Sequence, residues 1–301
     1  MDTLQKPPVA MRIYSQIARR VPLLSGLTPL AFNRLTNRSF GASNYVALAT
    51  THGGLNMAVA VNDYHGRILY LFGTNDPKVQ ALASALLSPG DTFLDIGANY
   101  STIGLYASLK VGAAGHVHLF EPQPALADRV QAAIDAGGVS NVSMHRVALM
   151  DKDASMTMKV PPSHSGMATL VEHSDQSTWE TLTVEVRDIA RYVGPLVGAA
   201  RFGVKLDVEG AEPKLVPWIV AQQGLKFLIF EAAHHHEMLF DQVRSAGLAV
   251  FGLRRNLFRP QVQRVNSVSA LRHFHDLVAV RVATAPSIVS MKRLGALIES
   301  P

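Results

Sequence analysis

The sequence predicts an α/β fold: a mostly parallel sheet with helices on both faces, entered through an N-terminal extension. Three observations predict it. From residue 91 onward, short apolar runs alternate with helix-like segments, as in βαβ units that feed one sheet. Polar residues gather where those runs end, and open parallel sheets hold ligands outside the carboxyl ends of their strands. The chain has 301 residues and is 48% hydrophobic, enough to fill such a core.

The organising stretch is 91–104, DTFLDIGANYSTIG. Thr92–Ile96 suits a buried parallel strand. Gly97 and Ala98 follow, where the chain must turn sharply and let something approach the backbone. A helix pattern starts at Thr102. A strand, a small-residue turn and a helix with unpaired first N–H groups make a ready site for a carboxylate or phosphate.

In chain order, residues 1–45 read as an extension. Met11–Val21 has helical spacing, with Ile13, Ile17 and Val21 on one side and Arg12, Arg19 and Arg20 elsewhere. The expectation is that this basic amphipathic helix packs on its own domain; a peripheral membrane contact is the alternative. Residues 46–88 lead into the core. Alternation in Tyr45–Ala49, Leu55–Val61 and Arg67–Phe72 predicts an antiparallel meander, and Val79–Leu87 a helix stopped by Pro89 and Gly90. The main domain spans 89–282, with a tail at 283–301. Its strands fit 92–96, 116–120, 142–147, 203–207, 226–231, 248–253 and 276–282; its helices fit 102–111, 124–136, 212–222 and 236–246. Residues 151–186 break the rhythm and read as an edge hairpin with a loop near Ser163–Thr169. Residues 254–275, with Arg254, Arg255, Arg259, Arg264 and Arg272, read as a long basic connection that could hold an anionic or sugar-phosphate acceptor.

Bulk composition narrows the function. Net charge is +5 without a dense Lys/Arg run, so no nucleic-acid partner is expected. The absence of cysteine excludes disulfides and thiolate metal sites and fits a cytoplasmic protein. No stretch of apolar residues is long enough to span a bilayer. Val21–Phe32 follows two arginines but is broken by Pro22 and Pro29, so it is not read as a signal peptide.

The strand ends carry the chemistry. After the first comes Asp95-Ile-Gly-Ala-Asn99, with an acid two residues before Gly97 and Asn99 where a dinucleotide fingerprint has glycine. That suits a ligand with both an ammonium and a carboxylate. After the second stands Glu121, before Pro122. An acid at this remove can accept both ribose hydroxyls, although a helix-start acid has the same look. After the third, Ala148 and its apolar neighbours could flank an adenine, with Asp151 near its amino group. After the fourth lies KLDVEGAE, 205–212. Strand parity puts Lys205, Asp207 and Glu209 on one face if the strand continues, and acids in an apolar strand are costly to bury without purpose. A structural Lys205–Asp207 ion pair is the plain alternative. After the fifth come Glu231, His234 and His236. Histidine suits general-base work near neutrality. A divalent metal on Asp207, Glu231 and a histidine is chemically suitable, but no spacing demands it.

Together these residues resemble the FkbM family of S-adenosylmethionine-dependent methyltransferases. The resemblance runs from Asp91 to Arg281 and rests on Pro89–Asp91, Asp95–Asn99, Phe120–Pro122, Ser140–Val142, Ala148 and Leu149 with Asp151, and above all Lys205–Glu212. It implies a Rossmann-like, class I methyltransferase sheet of seven strands with the last antiparallel. It also implies S-adenosylmethionine as cofactor and O-methylation of a sugar, glycan or secondary-metabolite hydroxyl. On this reading Asp95, Gly97, Ala98, Asn99 and Ser101 serve the methionine end, and Glu121 and Pro122 the ribose. Ala148 and Asp151 serve the adenine side. Asp207 faces the methyl centre with Glu209 beside it, and His234 is the outside candidate for base. One departure matters: the family commonly has glycine where Ser101 stands, so that side chain would crowd the cofactor or bond its carboxylate. Two rivals remain. A nicotinamide-dependent oxidoreductase fits Glu121 but not Asn99 or the 205–212 stretch; a non-catalytic binder on the same fold is compatible with Ser101.

Overall fold

The structure, a computed structural model, describes residues 4–40, 45–171, 177–231, 236–254, 256–258 and 261–281. The extension folds as α1 (Val9–Ala18), α2 (Leu27–Ala31) and α3 (Arg34–Phe40). Helix α1 packs on the domain, but not by the expected face. Met11 and Ser15 are buried, and Ser15 Oγ donates to the carbonyl of Tyr70 at 3.0 Å. Arg19 donates to the carbonyls of Thr50, Leu69 and Tyr70. Polar anchoring therefore decides which side faces inward, and Ile13, Ile17 and Val21 are left exposed.

Strands β1 (Val46–Thr50) and β2 (Asn56–Ala60) form the expected antiparallel pair. The third strand of the expected meander is instead a helix, α4 (Tyr64–Phe72). Asp63 caps it by accepting from the Gly66 N–H at 2.8 Å, and Gly73, at φ 81°, stops it. The run Ile68–Phe72 is buried throughout, and such runs do not distinguish a buried strand from a buried helix. Helix α5 (Pro77–Leu86) follows as anticipated, with Asp76 accepting from Val79 N–H at 3.1 Å and Pro77 in the first turn.

The main sheet begins with β3 (Thr92–Ile96), α6 (Thr102–Val111), β4 (His116–Phe120), α7 (Pro124–Gly137) and β5 (Val142–His145). The chain then leaves it through β6 (Ala148–Met150), β7 (Ala154–Val160) and β8 (Glu180–Asp188), a small sheet of its own in order β6-β8-β7. The expected hairpin is the β7–β8 pair. Helix α8 (Ile189–Val197), not anticipated, starts where Asp188 accepts from Arg191 N–H at 3.0 Å. The sheet resumes with β9 (Phe202–Leu206), α9 (Glu212–Ala221), β10 (Leu225–Glu231), α10 (His236–Ser245) and β11 (Leu248–Arg254). It closes with β12 (Gln261–Val265), the short α11 (Val268–Leu271) and β13 (Asp276–Arg281). The supposed basic connection thus contains a strand. Its pairing with β11 brings Arg254 within reach of Gln263, whose side chain accepts from the guanidinium at 2.9 Å.

The strand order is β12-β11-β13-β10-β9-β3-β4-β5. Neighbours from β5 to β10 run parallel, and β13 lies antiparallel between β10 and β11. This is the Rossmann-like, class I methyltransferase arrangement, widened by β12. Adjacent residues of β3 serve opposite faces. Phe93 packs with α6 and α7, and Leu94 with α8 and α9. Each fully buried side chain of this kind contributes about 1.5–3 kcal/mol.

Candidate active-site cleft

From β3 the chain steps to β4 on one side, and it later returns to β9 on the other. A doubly wound sheet opens a crevice at such a point. A cleft of about 710 Å³ lies there. Part of its wall comes from the strand ends: Ile96–Asn99, Phe120–Gln123, Val147–Leu149 and Lys205–Glu209. The rest comes from Leu24–Pro29, from Tyr64 and His65, and from the turn His164–Ala168.

Gly97 shows why the first turn needs glycine. Its φ is +74°, and a Cβ there would fall 1.7 Å from the carbonyl oxygen of Asp207. Gly97 and Ala98 both donate to the carbonyl of Phe120 at 3.0 Å, which joins the β3 turn to β4. Asn99 and Ser101 also take positive φ, 50° and 53°. Asparagine tolerates that region better than most residues, which accounts for it where a fingerprint would have glycine. Ser101 lies fully buried outside the cleft wall, so it neither crowds the cleft nor reaches a ligand in it.

Glu121 is 3% exposed and lines the cleft. Its Oε2 accepts from Asn99 N–H at 2.8 Å and its Oε1 from Gln123 N–H at 2.9 Å. Burial pushes its carboxyl above the usual range, and these two N–H groups pull it back. Each oxygen keeps a lone pair for a further donor.

Asp95 sits beneath the wall rather than in it, at 1% exposure. Its Oδ2 accepts from Gly104 N–H at 2.9 Å, and its Oδ1 lies 3.6 Å from Lys205 Nζ. Burial raises its pKa to about 6, against the pull of that ammonium. What reaches the cleft is Lys205. Its Nζ donates to the Gly97 carbonyl at 2.7 Å and stands 3.3 Å from Asp207 Oδ2. Burial alone would discharge this ammonium, but Asp207 and Asp95 hold its pKa above the ordinary lysine value.

Strand β9 stops at Leu206, so alternation does not carry on to Asp207 and Glu209. A turn brings them to the same wall instead, with Glu209 at φ 52° and Gly210 at φ 104°. Glu212 builds that turn: its carboxylate accepts from Val208 and Gly210 N–H, both at 2.9 Å. Thr169 Oγ1 donates to the Glu209 carbonyl at 2.7 Å. Burial, and then the acids Asp207, Glu231 and Glu212, push Glu209 up to about 8. Carboxylate oxygens of Asp207, Glu209 and Glu231 lie within 4.8 Å of one another. Asp207 is shared with Lys205, however, and Glu231 with His275 at 2.9 Å.

Of the remaining expected residues, Ala98, Pro122 and Ala148 line the cleft. Asp151 does not. Strand β6 carries it out of the main sheet, and it pairs with Lys214 at 3.4 Å. His234 lies outside the described residues, as do Arg255 and Arg259. Arg254, Arg264 and Arg272 are not in the wall.

Sequence patterning passes over two wall histidines. His65 opens α4, and burial pushes its pKa down to about 4 against the pull of Asp63. His164 stacks on Tyr64, with ring centroids 4.3 Å apart. The turn bearing His164 is tied down through Ser165. Its N–H donates to Asp63 at 2.7 Å, its Oγ accepts from Asn99 Nδ2 at 3.1 Å, and its carbonyl accepts from Gln123 Nε2 at 3.0 Å.

His275 gives this edge of the cleft a pH dependence. Hydrogen bonds to Asp276 and Glu231 raise its pKa to about 10 from an ordinary 6.5. The folded chain therefore holds this proton more tightly than the unfolded one. The resulting stability is complete below pH 6.5 and is lost as pH rises through about 10. The side chain is 47% exposed, so screening limits the gain to about 1 kcal/mol. His275→Gln is expected to flatten the fall in melting temperature across that window, measured by thermal melts of both proteins.

No family model matches the chain. Among curated proteins it is 27% identical over 142 residues to Methyltransferase 1 of Beauveria bassiana (strain ARSEF 2860). That alignment covers 41% of this chain and 57% of the relative, so the chain spans less than two thirds of the relative's length. Solved structures that superpose on it include a precorrin-6y C5,15-methyltransferase from Geobacter metallireducens, with TM-score 0.40 and 11% identity over 70% of this chain and 90% of the other. Aeropyrum pernix fibrillarin with natively bound S-adenosyl-L-methionine gives 0.38 and 12% over 77% and 93%. A SAM-dependent O-methyltransferase from Thermotoga maritima gives 0.36 and 12% over 69% and 66%.

Proposed function

We propose that the chain is an S-adenosylmethionine-dependent methyltransferase of the FkbM type, acting on a hydroxyl of a sugar, glycan or secondary metabolite. The observation that carries this reading is Glu121: a buried carboxylate at the end of β4, fixed by two backbone N–H groups, in a crevice at the switch point of the sheet. Its two oxygens suit the two ribose hydroxyls of a nucleoside. The residues around it fit the rest of that cofactor. Phe120, Pro122, Ala148 and Leu149 offer apolar wall for an adenine, and Lys205 offers an ammonium to the amino-acid carboxylate. Asp95 then acts through Lys205 rather than by contact. The cleft volume falls within the roughly 300–1,000 Å³ of small-molecule sites. The partial likeness to Methyltransferase 1 supports the same activity.

When bound, that cofactor supplies an electrophilic methyl carbon. The chain's own task is to align an acceptor oxygen with it, which lowers the barrier by several kcal/mol, and to take up one hydroxyl proton. His65 suits the second task. Its pKa of about 4 leaves the imidazole neutral at pH 7, with a nitrogen able to accept a proton. Asp207 and Glu209 stand at the rim where the methyl would lie, Glu209 as a protonated acid near neutrality.

Calorimetric titration of S-adenosylmethionine into the purified chain tests the reading; no binding at millimolar cofactor ends it. His65→Asn is expected to lower kcat by about 10²-fold or more while leaving cofactor affinity unchanged. An unchanged kcat would remove His65 from this role.

A further inference from the structure

We propose that the outer face of α1 docks the protein on an anionic lipid bilayer. This goes beyond the methyl-transfer reading and does not depend on it.

The charge of the chain is unevenly placed. The first 62 residues carry six Lys or Arg side chains and a single acid, Asp2; the rest balances 22 basic against 22 acidic side chains. The whole net charge of +5 therefore belongs to the N-terminal segment. The same segment exposes apolar surface. Among the described residues, seven of the thirteen exposed large hydrophobic side chains fall within residues 4–35. On α1 they form a stripe at helical spacing: Val9 is 65% exposed, Ile13 51% and Ile17 59%.

This stripe is not a helix face awaiting its own domain. The other side of α1 is already engaged, through Met11, the Ser15 hydroxyl and the Arg19 guanidinium. Lys6, Arg12 and Arg20 are exposed beside the stripe, and Arg34 and Arg38 on α3. An apolar ridge rimmed by cations fits a surface with anionic headgroups and an acyl boundary beneath them. It fits a neutral protein partner less well. Among the described residues no helix is long and apolar enough to cross a membrane, so the contact is peripheral. Tyr14 Oη donates to the Leu30 carbonyl at 3.0 Å, joining α1 to α2, and residues of α2 line the cleft. Docking through α1 therefore brings the cleft close to the bilayer.

Co-sedimentation of the full chain with phosphatidylcholine vesicles, with and without phosphatidylserine, tests this. The wild-type chain is expected to pellet with the anionic vesicles and to be released by salt. I13S/I17S and R12Q/R20Q alter exposed side chains only, so their thermal melts should match wild type. Each pair is expected to weaken vesicle binding by roughly tenfold or more. L109S, at an exposed site elsewhere, should change nothing. Two results would overturn the proposal. One is no binding to anionic vesicles, or binding that neither pair affects. The other is a dimer in solution that I13S/I17S dissociates while vesicles capture nothing, which would make the stripe a contact between two copies.

Discussion

Gly97→Ala is expected to dismantle the cleft. A methyl group at this position would fall 1.7 Å from the carbonyl oxygen of Asp207 on a backbone already at φ +74°. The left-handed conformation alone costs about 1–2 kcal/mol with a side chain present. The collision with backbone costs more, because the β3 and β9 turns can relieve it only by separating. A total loss of about 3 kcal/mol or more follows. Gly54 supplies the control. It has φ +82°, and a Cβ there would meet nothing within 4 Å, so Gly54→Ala carries the conformational cost without the clash. Thermal melts of the two variants should differ by several degrees, and only Gly97→Ala should also lose S-adenosylmethionine binding. Identical melts would mean that the two turns do not press together as described.

Glu121→Gln is expected to weaken S-adenosylmethionine binding by about 10- to 100-fold, the worth of one or more hydrogen bonds to a charged acceptor. The substitution keeps the size of the side chain but turns one acceptor into a donor. That donor must face either the Asn99 or the Gln123 N–H, both now satisfied by the carboxylate. Part of the loss therefore passes through the loop that presents Asn99. Calorimetry gives the affinity, and a thermal melt without cofactor separates the share due to the loosened loop. Wild-type affinity in this variant would take the ribose role from Glu121.

Much of the fold was legible in the sequence because buried parallel strands leave continuous apolar runs and helices leave a wider period. All seven expected strands of the main sheet are present, and so is the hairpin after residue 151. Arg67–Phe72 misled because burial on all sides erases periodicity; the signal that could have found the helix was Asp63 before it and Gly73 after it. Strand β12 hid in a polar stretch, since an edge strand needs only occasional apolar residues, here Val265. At the site, glycines and acids at strand ends were readable because their chemistry is local. His65 was not: a turn-like reading of 62–66 concealed a helix start, and nothing nearby in sequence says that it will feel the charge of Asp207. Asp151 failed for the converse reason, being next to the right strand but on a segment that leaves the sheet.

The composite wall of the cleft has a last consequence. The sheet rim is fastened together by Glu121, Lys205 and Glu212, each engaged by two or more groups. Leu24–Pro29 and His164–Ala168 contribute to the same cleft from stretches outside that rim. Evolution can therefore retarget such a protein by rewriting two short passages, leaving the chemistry of the rim untouched. Divergence among its relatives is best sought there.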